Sequence, residues 1–358
     1  MRLVTDTIAQ LRPYEAGKPL EELARELGVQ GAIKLASNEN ALGPSPKALA
    51  AAQGALHDLH RYPDAAQYEL RQKLAQFLRV KPQEVALGAG SNELLDLIVR
   101  TFCTAEHHIV FAEPSFVVYR MAALAHGVPF TAVPLRDYVH DLPAMTAAVR
   151  PNTRVVFVAN PNNPTGTGVT ADALTAFVRS VPAEVIVVID EAYIEYADPL
   201  PVDALTLRES HPNVVCLRTF SKIYGLAALR LGYAVANAEI VHYLDCVRAP
   251  FNVSSIAQAA GLAALGDTEH VKASCELNRS ERARIAAALV GRGIKVVPSQ
   301  ANFVLIELGR PAQPIYQALL QRGVIVRPIA VLPNCLRVTI GLPAENDRLL
   351  SSLAEVLA

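Results

Sequence analysis

The sequence predicts an α/β fold: a large domain with a mostly parallel central sheet covered by helices, and a smaller α+β domain. Three observations predict it. Four short runs, Ile109 to Ala112, Val155 to Ala159, Val185 to Ile189 and Val214 to Leu217, are rich in β-branched residues and apolar on both faces. Parallel strands covered on both sides by helices read this way. Helical patterns separate the runs, at about 115–126 and 170–180, which is the alternation of a parallel sheet with crossover helices. Beyond about residue 255 one long helical region is followed by several short strands.

The elements follow in chain order. The first 35 residues lie outside the sheet pattern and hold a short amphipathic helix, Leu20-Leu23-Ala24-Leu27, that stops at Gly28. Ser45-Pro46 is a helix start, a capping residue before Pro at the first helical position, and the helix runs to about His60. A second helix follows Pro63-Asp64 and places Leu70, Leu74, Phe77 and Leu78 on one face. Val85 to Gly88 is a short strand, and Ser91 to about Phe102 a helix that buries Leu94, Leu95, Leu97 and Ile98. The later part gives a long helix at about 268–291, then strands at Lys295 to Val297, Phe303 to Ile306, Val324 to Val326 and Leu336 to Ile340, and a last helix at about 344–357. The expected division is a large domain over 36–255 and a small domain built from 1–35 and 256–358.

Composition excludes several classes. The chain has 358 residues, 51% hydrophobic and 19% charged, far from a disordered composition. Its 33 basic and 34 acidic residues leave a net charge of −1, so the basic footprint of a nucleic-acid binder is missing. No run reaches the roughly 18 apolar residues of a membrane span. Met1-Arg2-Leu3-Val4-Thr5-Asp6 has no apolar signal core. The five cysteines form no C-x-x-C pair; they read as buried small hydrophobes, and a reducing cytoplasmic setting is expected.

Generic motifs fail. Gly88-Ala89-Gly90 follows a strand and precedes a helix, but Glu93 stands where the third glycine of G-x-G-x-x-G belongs. The chain has no phosphate-binding G-x-x-x-x-G-K-[ST], no H-E-x-x-H and no G-x-S-x-G. His107-His108 lacks partners at metal spacing and reads as a solvated loop pair; no metal is expected.

Ligands of open α/β sheets bind outside the carboxyl ends of the strands. Val155 to Ala159 runs into Asn160-Pro161-Asn162-Asn163-Pro164-Thr165-Gly166. Val185 to Ile189 runs into Asp190-Glu191-Ala192-Tyr193, and Val214 to Leu217 into Arg218-Thr219-Phe220-Ser221-Lys222, with Arg230 eight residues on. Taken singly, Asn163-Pro164 reads as a turn, Asp190 as a cap and Lys222 as a surface amine. Together they collect an amide, a carboxylate, a phenol, hydroxyls, an amine and a guanidinium at one sheet edge. That set suits pyridoxal phosphate: an amine for the aldehyde, a carboxylate to keep the pyridine nitrogen protonated, and a phenol and an amide for the 3′-oxygen. Hydroxyls and an arginine suit the phosphate, with a helix N-terminus at Gly90-Ser91-Asn92.

At these residues the sequence resembles the class I/II, fold type I pyridoxal-phosphate aminotransferases, over essentially the whole chain. Within them it is similar to the histidinol-phosphate aminotransferase branch through Leu11-Arg12-Pro13-Tyr14, Leu35-Ala36-Ser37-Asn38-Glu39-Asn40, Arg61-Tyr62-Pro63-Asp64 and Leu336-Arg337-Val338-Thr339-Ile340-Gly341. The resemblance implies that Lys222 bonds the cofactor and shuttles the proton, Asp190 pairs with the pyridinium, and Tyr193 and Asn163 bind the 3′-oxygen. It places Gly90, Ser91, Asn92, Thr219, Ser221 and Arg230 about the phosphate, and Phe116 in the ring-stacking position where the family often has tyrosine. It implies a homodimer in which Tyr62 reaches the neighbouring cofactor phosphate. Arg337 matches the arginine for the substrate's anionic end, with Arg327, Tyr14 and Asn38 as further substrate contacts. The implied reaction moves an amino group between histidinol phosphate and 2-oxoglutarate. Aromatic amino-acid transamination and decarboxylation of a phosphorylated amino acid stay open as alternatives.

Overall fold

In the computed structural model, which describes residues 3–13, 17–198 and 203–357, a first short strand, β1 (Ile33–Lys34), precedes the central sheet. That sheet comprises β2 (Val85–Gly88), β3 (His108–Glu113), β4 (Phe130–Pro134), β5 (Thr153–Ala159), β6 (Ile186–Asp190), β7 (Val214–Thr219) and β8 (Gly232–Val235). The strand order is β2-β8-β7-β6-β5-β3-β4, and only β8 runs against the rest. Successive side chains of a strand point to opposite faces. Here both faces are apolar. Val156, Val158, Val187, Ile189, Val214 and Cys216 fill one core. Val155, Phe157, Ile186, Val188, Val215 and Leu217 fill the other.

Helices cover each face. Pro46–Ala55, Tyr68–Leu78 and Ser255–Ala264 bring Ala48, Leu70, Leu74, Ala257, Ala260 and Ala264 to the first core. Ser91–Phe102, Val118–Ala125 and Ala238–Val247 close the second with Leu94, Leu95, Ile98, Tyr119, Val241 and Leu244. The large core therefore extends past the expected boundary at residue 255. The cap predicted at Ser45 is present: its hydroxyl accepts the Ala48 N–H at 3.2 Å.

The smaller lobe holds β9 (Lys295–Val297), β10 (Phe303–Glu307), β11 (Val324–Ile325), β12 (Arg327–Ile329) and β13 (Leu332–Thr339). An antiparallel sheet of order β12-β13-β10-β9 packs against the helices Thr268–Val290, Ala312–Gln321 and Pro343–Leu357 through Ile285, Leu319, Val304, Leu336 and Leu349. β1 pairs in parallel with β11, and Leu35 accepts the Thr339 N–H at 2.9 Å. These bonds fasten the N-terminal segment to the C-terminal lobe. They carry Ser37 and Asn38 to the edge of the large sheet.

Four details differ from the sequence reading. His108 is the first residue of β3 and is buried, its ring nitrogens within 2.9 Å of the Thr153 and Thr131 hydroxyls. It is not a solvated loop residue, because two neighbouring strands supply its partners. Phe77 is 47% exposed, beyond the face that carries Leu70 and Leu74. The cysteines are mixed: Cys216 and Cys335 are buried, Cys103 and Cys275 partly so, and Cys246 is exposed. The predicted strand at 324–326 is only the two-residue β11, and a separate strand in another sheet, β12, begins just beyond it at Arg327. Among the described residues no helix is long and apolar enough to cross a membrane.

Candidate active site

A cavity of about 370 Å³ opens at the carboxyl ends of β5, β6 and β7. All three predicted strand ends meet there: Asn163, Asp190 with Tyr193, and Thr219, Ser221 and Lys222 line it. The small lobe supplies Arg327 and Arg337, and the N-terminal segment Ser37 and Asn38.

Asp190 is the last residue of β6, and its carboxylate is 4% exposed. Its Oδ2 accepts the Tyr119 hydroxyl at 2.8 Å and its Oδ1 the Ala192 N–H at 3.2 Å. Burial pushes this carboxyl up to about 6, and the Tyr119 hydrogen bond pulls the other way. Tyr119 is itself held rigidly: its ring stacks on Phe157 at 4.7 Å and 2°.

Lys222 follows β7 by three residues. Its Nζ donates to the Ser37 carbonyl at 3.1 Å and lies 5.7 Å from the centre of the Tyr193 ring. Burial first, and then the Arg337 charge, bring the amine down to about 7. The Tyr193 hydroxyl accepts from Asn38 Nδ2 at 3.0 Å. Asn163 Oδ1 accepts from Arg337 Nη1 at 2.6 Å, and Arg337 Nη2 donates to the Ala36 carbonyl at 2.6 Å.

One end of the cavity is built for an anion. The helix Ser91–Phe102 begins there, after Gly90 at φ 81°. That backbone angle favours glycine, and the Arg230 guanidinium lies directly against the Gly90 Cα. Arg230 Nη1 donates to Ser221 Oγ at 3.4 Å, and the Thr219 hydroxyl donates to Ser221 Oγ at 3.0 Å. Ser91 and Asn92 complete the rim. Phe116 forms a wall, edge-on to Tyr119 at 5.9 Å.

Tyr62 does not line this cavity. It is 83% exposed and stacks on Phe251 at 4.7 Å. Tyr14 lies outside the described residues.

Sequence reasoning missed Tyr119, whose signal was its place one helical turn after Phe116. It also missed the ion pairs beneath the site. Arg218 Nε donates to Glu191 at 2.8 Å and Nη2 to Asp203 at 2.7 Å. Glu191, Asp203 and Cys216 sit close enough to suggest metal ligands, but Arg218 already pairs with both carboxylates, and Glu191 also accepts the Ala204 N–H at 2.9 Å. The cluster is an ion-pair network that links the segment following Asp190 to Arg218, beside Thr219, and to Asp203.

The family description aminotransferase class I and II matches residues 30–353. The chain belongs to this family. It is 51% identical to the histidinol-phosphate aminotransferase of Anaeromyxobacter sp. (strain Fw109-5), with both chains covered completely. It is also 51% identical to histidinol-phosphate aminotransferase 2 of Pseudomonas aeruginosa, covering 98% of that protein. The crystal structure of histidinol-phosphate aminotransferase from Sinorhizobium meliloti in complex with pyridoxal-5′-phosphate superposes at a TM-score of 0.91. That match has 34% identity and covers all of this chain and 98% of that one.

The aminotransferase donor set fits pyridoxal phosphate group by group. Arg230, the hydroxyls of Ser91, Thr219 and Ser221, and the helix start suit a phosphate dianion. The buried Asp190 carboxylate, raised towards neutrality, lacks only a cation, which a pyridinium provides. The lowered Lys222 amine suits an aldehyde. Capture of pyridoxal phosphate by the cofactor-free protein is therefore expected to accelerate as pH rises through about 7, since only the unprotonated amine attacks a carbonyl. The lowered pKa leaves the free amine dominant above that value, and protonation removes it below. Rapid-mixing absorbance traces check this; a capture rate indifferent to pH across that range contradicts it.

Proposed function

We propose that this aminotransferase moves the amino group between L-histidinol phosphate and 2-oxoglutarate, giving imidazole acetol phosphate and glutamate. The observation that carries the reading is a second anion site in the same cavity. Arg337 and Arg327 enter from the small lobe, apart from the Arg230 end that suits the cofactor phosphate. A guanidinium fork grips a phosphate or a carboxylate bidentately, so one site serves both substrates in turn. The full-length similarity to relatives named for this reaction supports the choice.

Each residue then has a task. When bound, the cofactor supplies a protonated pyridine ring that accepts the electron pair left by C–H cleavage. Lys222 Nζ takes the proton from the substrate carbon that bears the amine and later returns it. The Asp190 carboxylate holds the proton on the pyridine nitrogen. Tyr193 and Asn163 hold the 3′-oxygen, and Phe116 covers the ring face. Arg337 and Arg327 orient the substrate's anionic end.

We place Tyr62 on a neighbouring subunit's cofactor phosphate, which makes the active form a homodimer. Its high exposure and its absence from the lining of its own cavity support this. Sedimentation at the 38.5 kDa chain mass would count against it. A reducing cytoplasm suits such a biosynthetic enzyme and its five free cysteines.

The test is product analysis with the cofactor-loaded protein. With L-histidinol phosphate and 2-oxoglutarate, glutamate and imidazole acetol phosphate are expected in equal amounts. Carbon dioxide release without a keto acid, or glutamate formed with phenylalanine but not with histidinol phosphate, would overturn the reading.

A further inference from the structure

Asn252 makes four hydrogen bonds with one amide. Its Oδ1 accepts from Gln67 Nε2 at 2.8 Å and from Arg248 Nη1 at 3.0 Å. Its Nδ2 donates to the Leu87 carbonyl at 3.2 Å and to Glu93 Oε2 at 2.7 Å. A guanidinium can only donate, and a main-chain carbonyl can only accept. These two partners assign the ends of the amide. Its two donors and its two acceptor positions are all in use.

One side of this joint is the phosphate end of the cavity. Glu93 stands in the first turn of the helix Ser91–Phe102, at the place where a dinucleotide motif would have its third glycine. Its Oε2 also accepts the Ala89 N–H at 2.5 Å. Ala89 lies between Gly88, the last residue of β2, and Gly90, which precedes that helix. Through Leu87 and Glu93, Asn252 therefore holds both ends of the turn that presents Gly90, Ser91 and Asn92.

The other side is the segment that carries Tyr62. Gln67 closes that segment, buried and with a left-handed backbone at φ 53°. Arg248 extends the tie. Its Nη2 donates to the Ala65 carbonyl at 2.7 Å and its Nε to Asp245 Oδ1 at 2.9 Å. Asp245 in turn accepts from Arg71 at 2.8 and 3.0 Å. Phe251, the neighbour of Asn252 in the chain, is the ring on which Tyr62 stacks.

We propose that Asn252 is a positioning residue for two cofactor phosphates. Through Glu93 and Ala89 it fixes the phosphate turn of its own subunit. Through Gln67 and Arg248 it fixes the Tyr62 segment that its subunit extends to the other. The inference rests on the reading above that Tyr62 reaches the neighbouring cofactor phosphate. Asn252 does not line the cavity, so its effect passes through the backbone and side chains that do. It also gives Glu93, which spoils a dinucleotide motif, a task of its own.

The test uses hybrid dimers in which one subunit carries Lys222→Ala. That subunit gives no visible band, so the band reports the cofactor of the other subunit alone. The measurement is the rate of band loss on dilution into cofactor-free buffer. The control pairs Lys222→Ala with the parent. In the first hybrid Asn252→Leu is in the band-bearing subunit, which frees that subunit's own phosphate turn. In the second it shares a chain with Lys222→Ala, which frees only the Tyr62 segment facing the reporting site. Leucine has the branching of asparagine and makes none of the four bonds. Band loss about tenfold faster than in the control is expected in both hybrids. A residue that only supported its own subunit's fold would quicken the first and leave the second unchanged. Loss at the control rate in either hybrid overturns the proposal. If Asn252→Leu does not fold, Arg248→Met, which cuts the Ala65 and Asn252 bonds, takes its place in the second hybrid under the same criterion. A third hybrid joins Tyr62→Phe to Lys222→Ala in one chain. Loss at the control rate there overturns the reading of Tyr62, and the inference with it; faster loss there beside an unmoved second hybrid overturns the inference alone.

Discussion

Replacing Lys222 with alanine is expected to lower turnover by roughly 10⁵-fold or more. Two losses combine. The amine is held at the cavity floor by the Ser37 carbonyl, where it meets the aldehyde at an effective concentration that no free amine reaches. It is also the only amine lining the cavity among the described residues, so no neighbour replaces it as the base at the substrate carbon. The phosphate end of the site is built from Arg230, Ser221, Thr219 and the Ser91 helix, all untouched by the change. The variant is thus expected to retain cofactor without the visible band of the lysine-bound form. Steady-state turnover and absorbance spectra check both parts. Turnover near the parent's would remove Lys222 from the chemistry.

Asp190→Asn is the second large effect, a loss of about 10²–10³ in turnover with weaker cofactor binding. The substitution keeps size and leaves an oxygen to accept from Tyr119 or Ala192, so packing against β6 is preserved. It removes the charge. A buried carboxylate raised to about 6 is poorly stabilised by its own surroundings; an opposing pyridinium is what would make it favourable. With a neutral amide there, the ring nitrogen has no reason to hold its proton, and the ring loses its pull on the electron pair. Turnover within threefold of the parent's, on the order of 0.7 kcal/mol, would mean that Asp190 does not face the pyridine nitrogen.

Much of the fold was legible because the strands that matter are buried on both faces. β5, β6 and β7 are continuous apolar runs bounded by polar clusters, and those clusters proved to be the site. The strands that escaped notice have weaker signals. β4 is an edge strand, half-buried and ending at Pro134. β8 is four residues that begin with Gly232, a glycine pressed against the backbone of Gly90 and Ser91. Its antiparallel direction depends on pairing across distant segments, which local pattern does not report. In the site, residues at strand ends were legible, and residues that act through space were not. Asn38 is 155 positions from Tyr193 and 301 from Thr339. Tyr119 and Asp190 are 71 positions apart. No spacing rule links such pairs; the sheet order and the return of the N-terminal segment to β11 bring them together.

The most direct measurement is a single turnover of the cofactor-loaded protein with the amino donor alone, followed by loss of the visible band. L-histidinol phosphate is compared with L-phenylalanine in the same buffer. Rapid loss with histidinol phosphate and slow loss with phenylalanine is the result expected of the proposed amino donor. Rapid loss with phenylalanine and little with histidinol phosphate would contradict the proposed substrate and make Arg337 a clamp for an α-carboxylate.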